Sequence, residues 1–176
     1  MSSFSNYAIP RAVSFSKEQM EDIEECLDEL SRNAGAWNIL LADITGQLIE
    51  FRRPIDQSKA EGLAALIAGS YFASAEIIKI LGKETHLINL CQEAADYSIY
   101  STNVAEVLIL SVVFGNEVKI GVVRFLVEQA RCRLLKIVGT APLEGSDVDT
   151  MKSRFVDEDF RQRVNEELER LTDFES

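Results

Sequence analysis

No two cysteines in this sequence stand close enough to make a zinc knuckle or a redox dithiol: Cys26, Cys91 and Cys132 are widely separated. They read as reduced packing residues. An odd number of cysteines, behind an N-terminus (MSSFSNYAIPRAVSFS) with no apolar signal-peptide core, points to a reducing cytoplasm. Histidine is almost missing too, and the one present, His86, falls on an expected strand with no catalytic partner in sight. No group of Cys, His, Asp and Glu has metal-ligand spacing, so no metal is expected. The glycines of GLAALIAGS lack the Gly-Lys-Ser/Thr ending of a phosphate loop, so no nucleotide cofactor is expected either. A basic stripe with interleaved aromatics is also wanting, which removes the usual nucleic-acid signatures. The longest uncharged run, Gly62–Ala75, falls short of the roughly 20 residues that cross a bilayer, so no membrane insertion is expected.

What is present is an ordinary globular composition, 47% hydrophobic and 27% charged over 176 residues, enough for one domain with appendages. The net charge of −11 is confined to two places. Residues 17–32 hold seven acids against two bases, and residues 141–176 hold eleven against five, so the middle of the chain is neutral. A phosphate-backbone partner is disfavoured by that distribution.

The element that organises the rest is Ser58–Gly82, SKAEGLAALIAGSYFASAEIIKILG, which reads as one long helix. Residues spaced at 100° put Leu63, Leu66, Ile67, Ile77, Ile78 and Leu81 on one broad face, expected against a sheet. Ser70 and Ser74 fall there too, with hydroxyls able to bond back to the preceding turn. The opposite face carries Gly62, Ala65, Gly69, Phe72, Ala73, Glu76 and Ile80. Glycine exposed in a helix costs about 1 kcal/mol against alanine, so small residues here suggest a second backbone packing closely. Two contact faces imply two partners, the chain's own sheet and a second copy or another protein; the alternative is a helix buried all round.

In chain order, residues 1–16 read as a flexible leader. Ser16 and Gln19 form a capping-box pair, opening a helix with the stripe Met20, Ile23, Leu27 and Leu30 that stops near Asn33–Gly35. Trp37–Asp43 and Gln47–Arg53 read as a hairpin around Thr45-Gly46, its second strand alternating poorly at Leu48 and Ile49 and ending at a charged, Pro54-terminated edge. Asp43 and Glu50 could be called paired carboxylates, but hairpin ends commonly carry acids. After the long helix come strands Thr85–Glu93, Tyr97–Thr102 and Val107–Phe114. The last, VLILSVVF, is apolar on both faces and demands a central place with cover above and below. Lys119–Val138 follows as a helix with the stripe Ile120, Val123, Val127, Ala130, Leu134 and Ile137, flanked by Arg124, Arg131, Arg133 and Lys136. Residues 139–176 read as an acidic linker and a short amphipathic tail helix with the stripe Phe160, Val164, Leu168 and Leu171.

The order helix, two strands, helix, three strands, helix gives an α+β sandwich of two to three layers. A five-stranded antiparallel sheet would carry the long helix on one face and two helices on the other. The segments WNILLADITGQLIEF, ALIAGSYFASAEIIKILGKE and VLILSVVFGNEVKIGVVRFLV resemble the roadblock family, first known through dynein light chains and including bacterial regulators of a Ras-like GTPase in cell polarity and motility. The likeness spans about residues 17–138, set here as the roadblock-like domain. It implies a homodimer whose middle helices pack side by side, a small Ras-like GTPase as partner, no cofactor, and a regulatory rather than enzymatic role. It also implies that no arginine finger is inserted, Arg52 and Arg53 being the candidates to exclude. The alternatives are a dimeric scaffold with no effect on hydrolysis and a small-ligand sensor with a pocket between sheet and helix. For the tail stripe three roles stay open: docking on the dimer near Arg124, Arg131, Arg133 and Lys136, docking on the GTPase, or solubilisation.

Overall fold

The computed structural model describes residues 13–52, 55–82 and 87–139. Arg53, Pro54, His86, the leader up to residue 12 and everything from residue 140 lie outside them. With these go the expectations for the Pro54 strand end, His86 and the tail stripe Phe160, Val164, Leu168 and Leu171.

Helix α1, Lys17–Ala34, begins where the sequence requires. The Ser16 hydroxyl accepts from the Gln19 amide N–H at 3.2 Å, and the Gln19 side-chain oxygen accepts from the Ser16 N–H at 2.8 Å. Gly35, left-handed at φ 58°, ends it. Strands β1 (Asn38–Asp43) and β2 (Leu48–Arg52) form the hairpin, α2 (Gln57–Leu81) follows, then β3 (Asn89–Glu93), β4 (Tyr97–Val104), β5 (Leu108–Gly115) and α3 (Ile120–Gly139). All pairings are antiparallel, in the order β2-β1-β5-β4-β3. β5, apolar on both faces, takes the central position, and every one of its residues is buried.

The layers match the expected sandwich. Alternate residues of the central strands serve opposite cores: Ile39, Leu41, Leu108, Leu110, Val112 and Phe114 pack with α1 and α3, while Leu40, Ala42 and Ile109 pack with α2. Both terminal helices present their expected stripes, and Cys26 joins that of α1.

Three local differences have physical causes. β2 alternates poorly because its register slips: Leu41 pairs with Glu50 but Ala42 pairs with Leu48, leaving Ile49 as the extra residue of a bulge on this edge strand. β4 runs to Val104 rather than Thr102, because the reversal uses only Ala105 and Glu106, both at φ near 60°. The Asn103 side-chain oxygen supports this turn by accepting from the Glu106 N–H at 2.8 Å. Helix α2 is capped by Asp56 instead of starting at Ser58, its carboxylate accepting from the Lys59 N–H at 2.9 Å.

The larger correction concerns which face of α2 meets the sheet. The buried residues are Ala60, Ala64, Ile67, Ala68 and Tyr71. Leu66, Ile77 and Leu81, expected against the sheet, are 74%, 57% and 79% exposed. Alanines win because the helix must lie close to the hairpin turn: a Cβ on Gly46, itself at φ +91°, would come within 2.8 Å of the Ala65 Cα. By length and composition α2 also passes for a membrane span, contrary to the expectation drawn from its uncharged run alone. In this fold, one of its faces is committed to the sheet.

Candidate partner interface

The outer face of α2 carries five of the ten exposed large hydrophobic side chains among the described residues. Its N-terminal half is held by the Asp56 cap and by Ala60 and Ala64. Its middle is held by Tyr71, whose hydroxyl lies 2.7 and 2.9 Å from the carbonyl oxygens of Leu87 and Ile88 and donates to one at a time. Burial pushes that phenol up to about 12. The Gln92 side-chain amide donates to the Ser70 hydroxyl at 3.1 Å, tying β3 to the same stretch. Beyond Tyr71 no residue of α2 is fully buried.

Of the residues expected at a dimer or partner interface, Gly62, Ala65, Gly69, Phe72, Ala73 and Ile80 are exposed or half-exposed and Glu76 is half-buried. They lie together on the outside of the helix, Ile80 at 84% and Phe72 at 55% exposure. A Cβ built on Gly62 or Gly69 meets nothing within 4 Å, so nothing in the described chain accounts for these glycines. Sequence reasoning left Leu66, Ile77 and Leu81 out of this surface by assigning them to the sheet; the signal that places them outside is the Ala60, Ala64, Ala68 row at 4-residue spacing.

Other candidate groups are engaged structurally. The buried Asp43 carboxylate accepts from the Thr45 N–H (2.9 Å), the Thr45 hydroxyl (2.6 Å) and the Gln47 N–H (2.9 Å), which makes it the clasp of the hairpin turn. Glu50 accepts from the Phe51 N–H at 2.9 Å and from Arg52 at 2.8 Å. Arg52 also bonds Asp28 on α1 and the carbonyls of Phe51 (2.9 Å) and Glu24 (3.2 Å). Arg133 bridges to Glu25 and Glu29 on α1, Arg131 bonds Glu128 and the Asn103 carbonyl, and Arg124 lies over the Tyr100 ring. Three of the four bases on α3 thus already have partners within the domain. All three cysteines are free, and burial pushes the Cys26 thiol up to about 11. Among the described residues no group of three or more His, Cys, Asp or Glu could hold a metal ion. A groove between α1 and α3 is lined by Leu30, Leu126 and Ala130, with Glu29 and Arg133 among its polar residues. By contrast, the space between sheet and α2 is filled by side chains from both.

Residues 22–114 match the model of the Roadblock/LC7 domain. The chain belongs to that family. Among solved structures, it is similar to Myxococcus xanthus MglB, 31% identical, the match covering 72% of this chain and 93% of that one with a TM-score of 0.66. The gliding protein MglB of Thermus thermophilus (24%, covering 73% and 96%, TM-score 0.65) and a Roadblock/LC7 domain from Streptomyces avermitilis (16%, covering 72% and 100%, TM-score 0.62) share the fold. Comparison with curated protein sequences gives no match.

Proposed function

We propose that this roadblock protein is a non-enzymatic, homodimeric regulator of a small Ras-like GTPase, working in the cytoplasm in cell polarity or motility. The observation that carries the reading is the outer face of α2. There Leu66, Phe72, Ile77, Ile80 and Leu81 are all more than half exposed around a line of glycine and alanine. Such a surface on one helix marks a protein contact, and its small residues suit a second copy of the same helix lying across a two-fold axis. Membership of the family and the likeness to MglB support a GTPase as the further partner.

Arg52 is a poor arginine finger, since a finger must leave its own domain to reach the transferred phosphate and this guanidinium is held by Asp28, Glu50 and two carbonyls. With Arg53 outside the described residues, the reading that regulation works by reshaping the GTPase's own site rests on the family and on the engagement of Arg52. Light scattering and single-turnover GTP hydrolysis by a small GTPase encoded near this gene test the reading. A dimer that changes the turnover or nucleotide release of that GTPase is expected. A monomer near 19.7 kDa would end the dimer half, and a dimer that binds without changing either rate would make the protein a scaffold.

A further inference from the structure

A second feature lies at the end of the sheet where β1, β5 and β4 run side by side. Trp37 and Tyr97 meet at 6.0 Å between ring centroids with 44° between planes, yet remain 45% and 40% exposed. Tyr97 stands opposite Gly115 in the β4–β5 register, and alternation puts both on the side of Ile99 and Ile109, the residues packed with α2. Gly115 is where the Glu117 carboxylate rests: a Cβ there would collide with its oxygens. Among the described residues no hydrogen bond or ion pair engages that carboxylate. The platform is fixed from below. The Trp37 N–H donates to the Val113 carbonyl at 2.7 Å, the Ala94 N–H to the Tyr97 carbonyl at 2.8 Å, and the Asn116 side-chain amide to the Ala95 carbonyl at 2.6 Å.

We propose that Trp37, Tyr97 and Glu117 form a subsite for an arginine side chain of the partner protein. Two half-exposed rings near a carboxylate that no described residue pairs favour a cation, and a guanidinium can satisfy both, stacking on a ring while its N–H groups bond the carboxylate. Gly115 is the residue that allows the carboxylate to lie this close to the sheet. The subsite rests on the proposed function for the identity of the partner, but its chemistry can be tested without any GTPase.

Trp37 is the only tryptophan, so its fluorescence reports this site alone. Full-length protein is titrated at low salt with acetyl-Gly-Arg-Gly-amide and with the same peptide carrying citrulline, the neutral isostere of arginine. A saturable change is expected for the arginine peptide only. Glu117→Gln should weaken it by about tenfold, Tyr97→Ala should weaken it similarly, and Tyr97→Phe, which keeps the ring, should preserve it. Absence of saturation in the wild type, an equal response to citrulline, or unchanged affinity in a folded Glu117→Gln protein would overturn the subsite. Peptide binding together with failure to bind any GTPase would remove the regulator reading and leave the subsite standing.

Discussion

Arg52 shows how one residue can be misjudged from sequence. At the end of an edge strand it resembles a free cation, whereas its side chain is only 18% exposed and joins β2 to α1 through Asp28. Arg52→Ala should cost about 1–2 kcal/mol of stability, less than four contacts suggest because Asp28 is half in solvent, and urea unfolding checks it. Under the proposed regulatory role, any effect on GTP turnover should fall far less than the roughly 10³-fold or more that loss of a finger causes. Cys26 and Tyr71 make a second residue-scale statement. Their folded pKa values, about 11 and about 12, lie above their ordinary 9.0 and 10.0, so the folded chain favours the protonated groups. The stability they add is complete below about pH 9 and is lost as pH rises through 11 for Cys26 and 12 for Tyr71. The urea midpoint should therefore be flat from about pH 7 to 9 and fall above that. Tyr71→Phe should cost about 1 kcal/mol at neutral pH and flatten the fall above about pH 10.

At the scale of the element, α2 is a helix divided between two duties. Alanines set its distance from the sheet, and its larger apolar residues point away. Gly69 separates these effects. With nothing within 4 Å of a Cβ at that position, Gly69→Ala should stabilise an isolated protomer by about 1 kcal/mol through helix propensity, while Gly69→Glu should abolish the proposed dimer by setting like charges face to face across its two-fold. Thermal unfolding at high dilution reads the first and light scattering the second. A dimer that persists in Gly69→Glu would move the interface elsewhere. Gly46 is the opposite case: Gly46→Ala meets both a positive φ and the Ala65 backbone, so it should destabilise the chain by about 2 kcal/mol or more, measured by denaturant melts.

At the scale of the described domain, the exposed large apolar side chains gather mainly on α2. Three acids of α1, Glu25, Asp28 and Glu29, are met by Arg52 and Arg133, while α2 carries the apolar face. Two further large apolar side chains, Val122 and Phe125 on α3, are also exposed. A chain ending at Gly139 should keep the fold and the proposed dimer, since all five strands and the three helices that cover them lie within residues 17–139; circular dichroism and light scattering of the truncated protein check this.

The sequence alone determined most of the architecture. Capping pairs, turn residues and hydrophobic period are local signals, so Ser16–Gln19, Thr45-Gly46 and the doubly apolar VLILSVVF located α1, the hairpin and the central strand, and the small residues of the middle helix marked its outer face. What only the tertiary structure decided is which side of a helix apolar on both faces turns inward. Periodicity ranked the candidates by size and favoured Leu66, Ile77 and Leu81; the close approach of the Gly46 turn reversed the order, because a tight contact selects for small side chains. The Trp37–Tyr97–Glu117 cluster was equally out of reach. Its residues are far apart in the chain, and they meet only because β1, β5 and β4 are neighbours and Gly115 between them has no side chain.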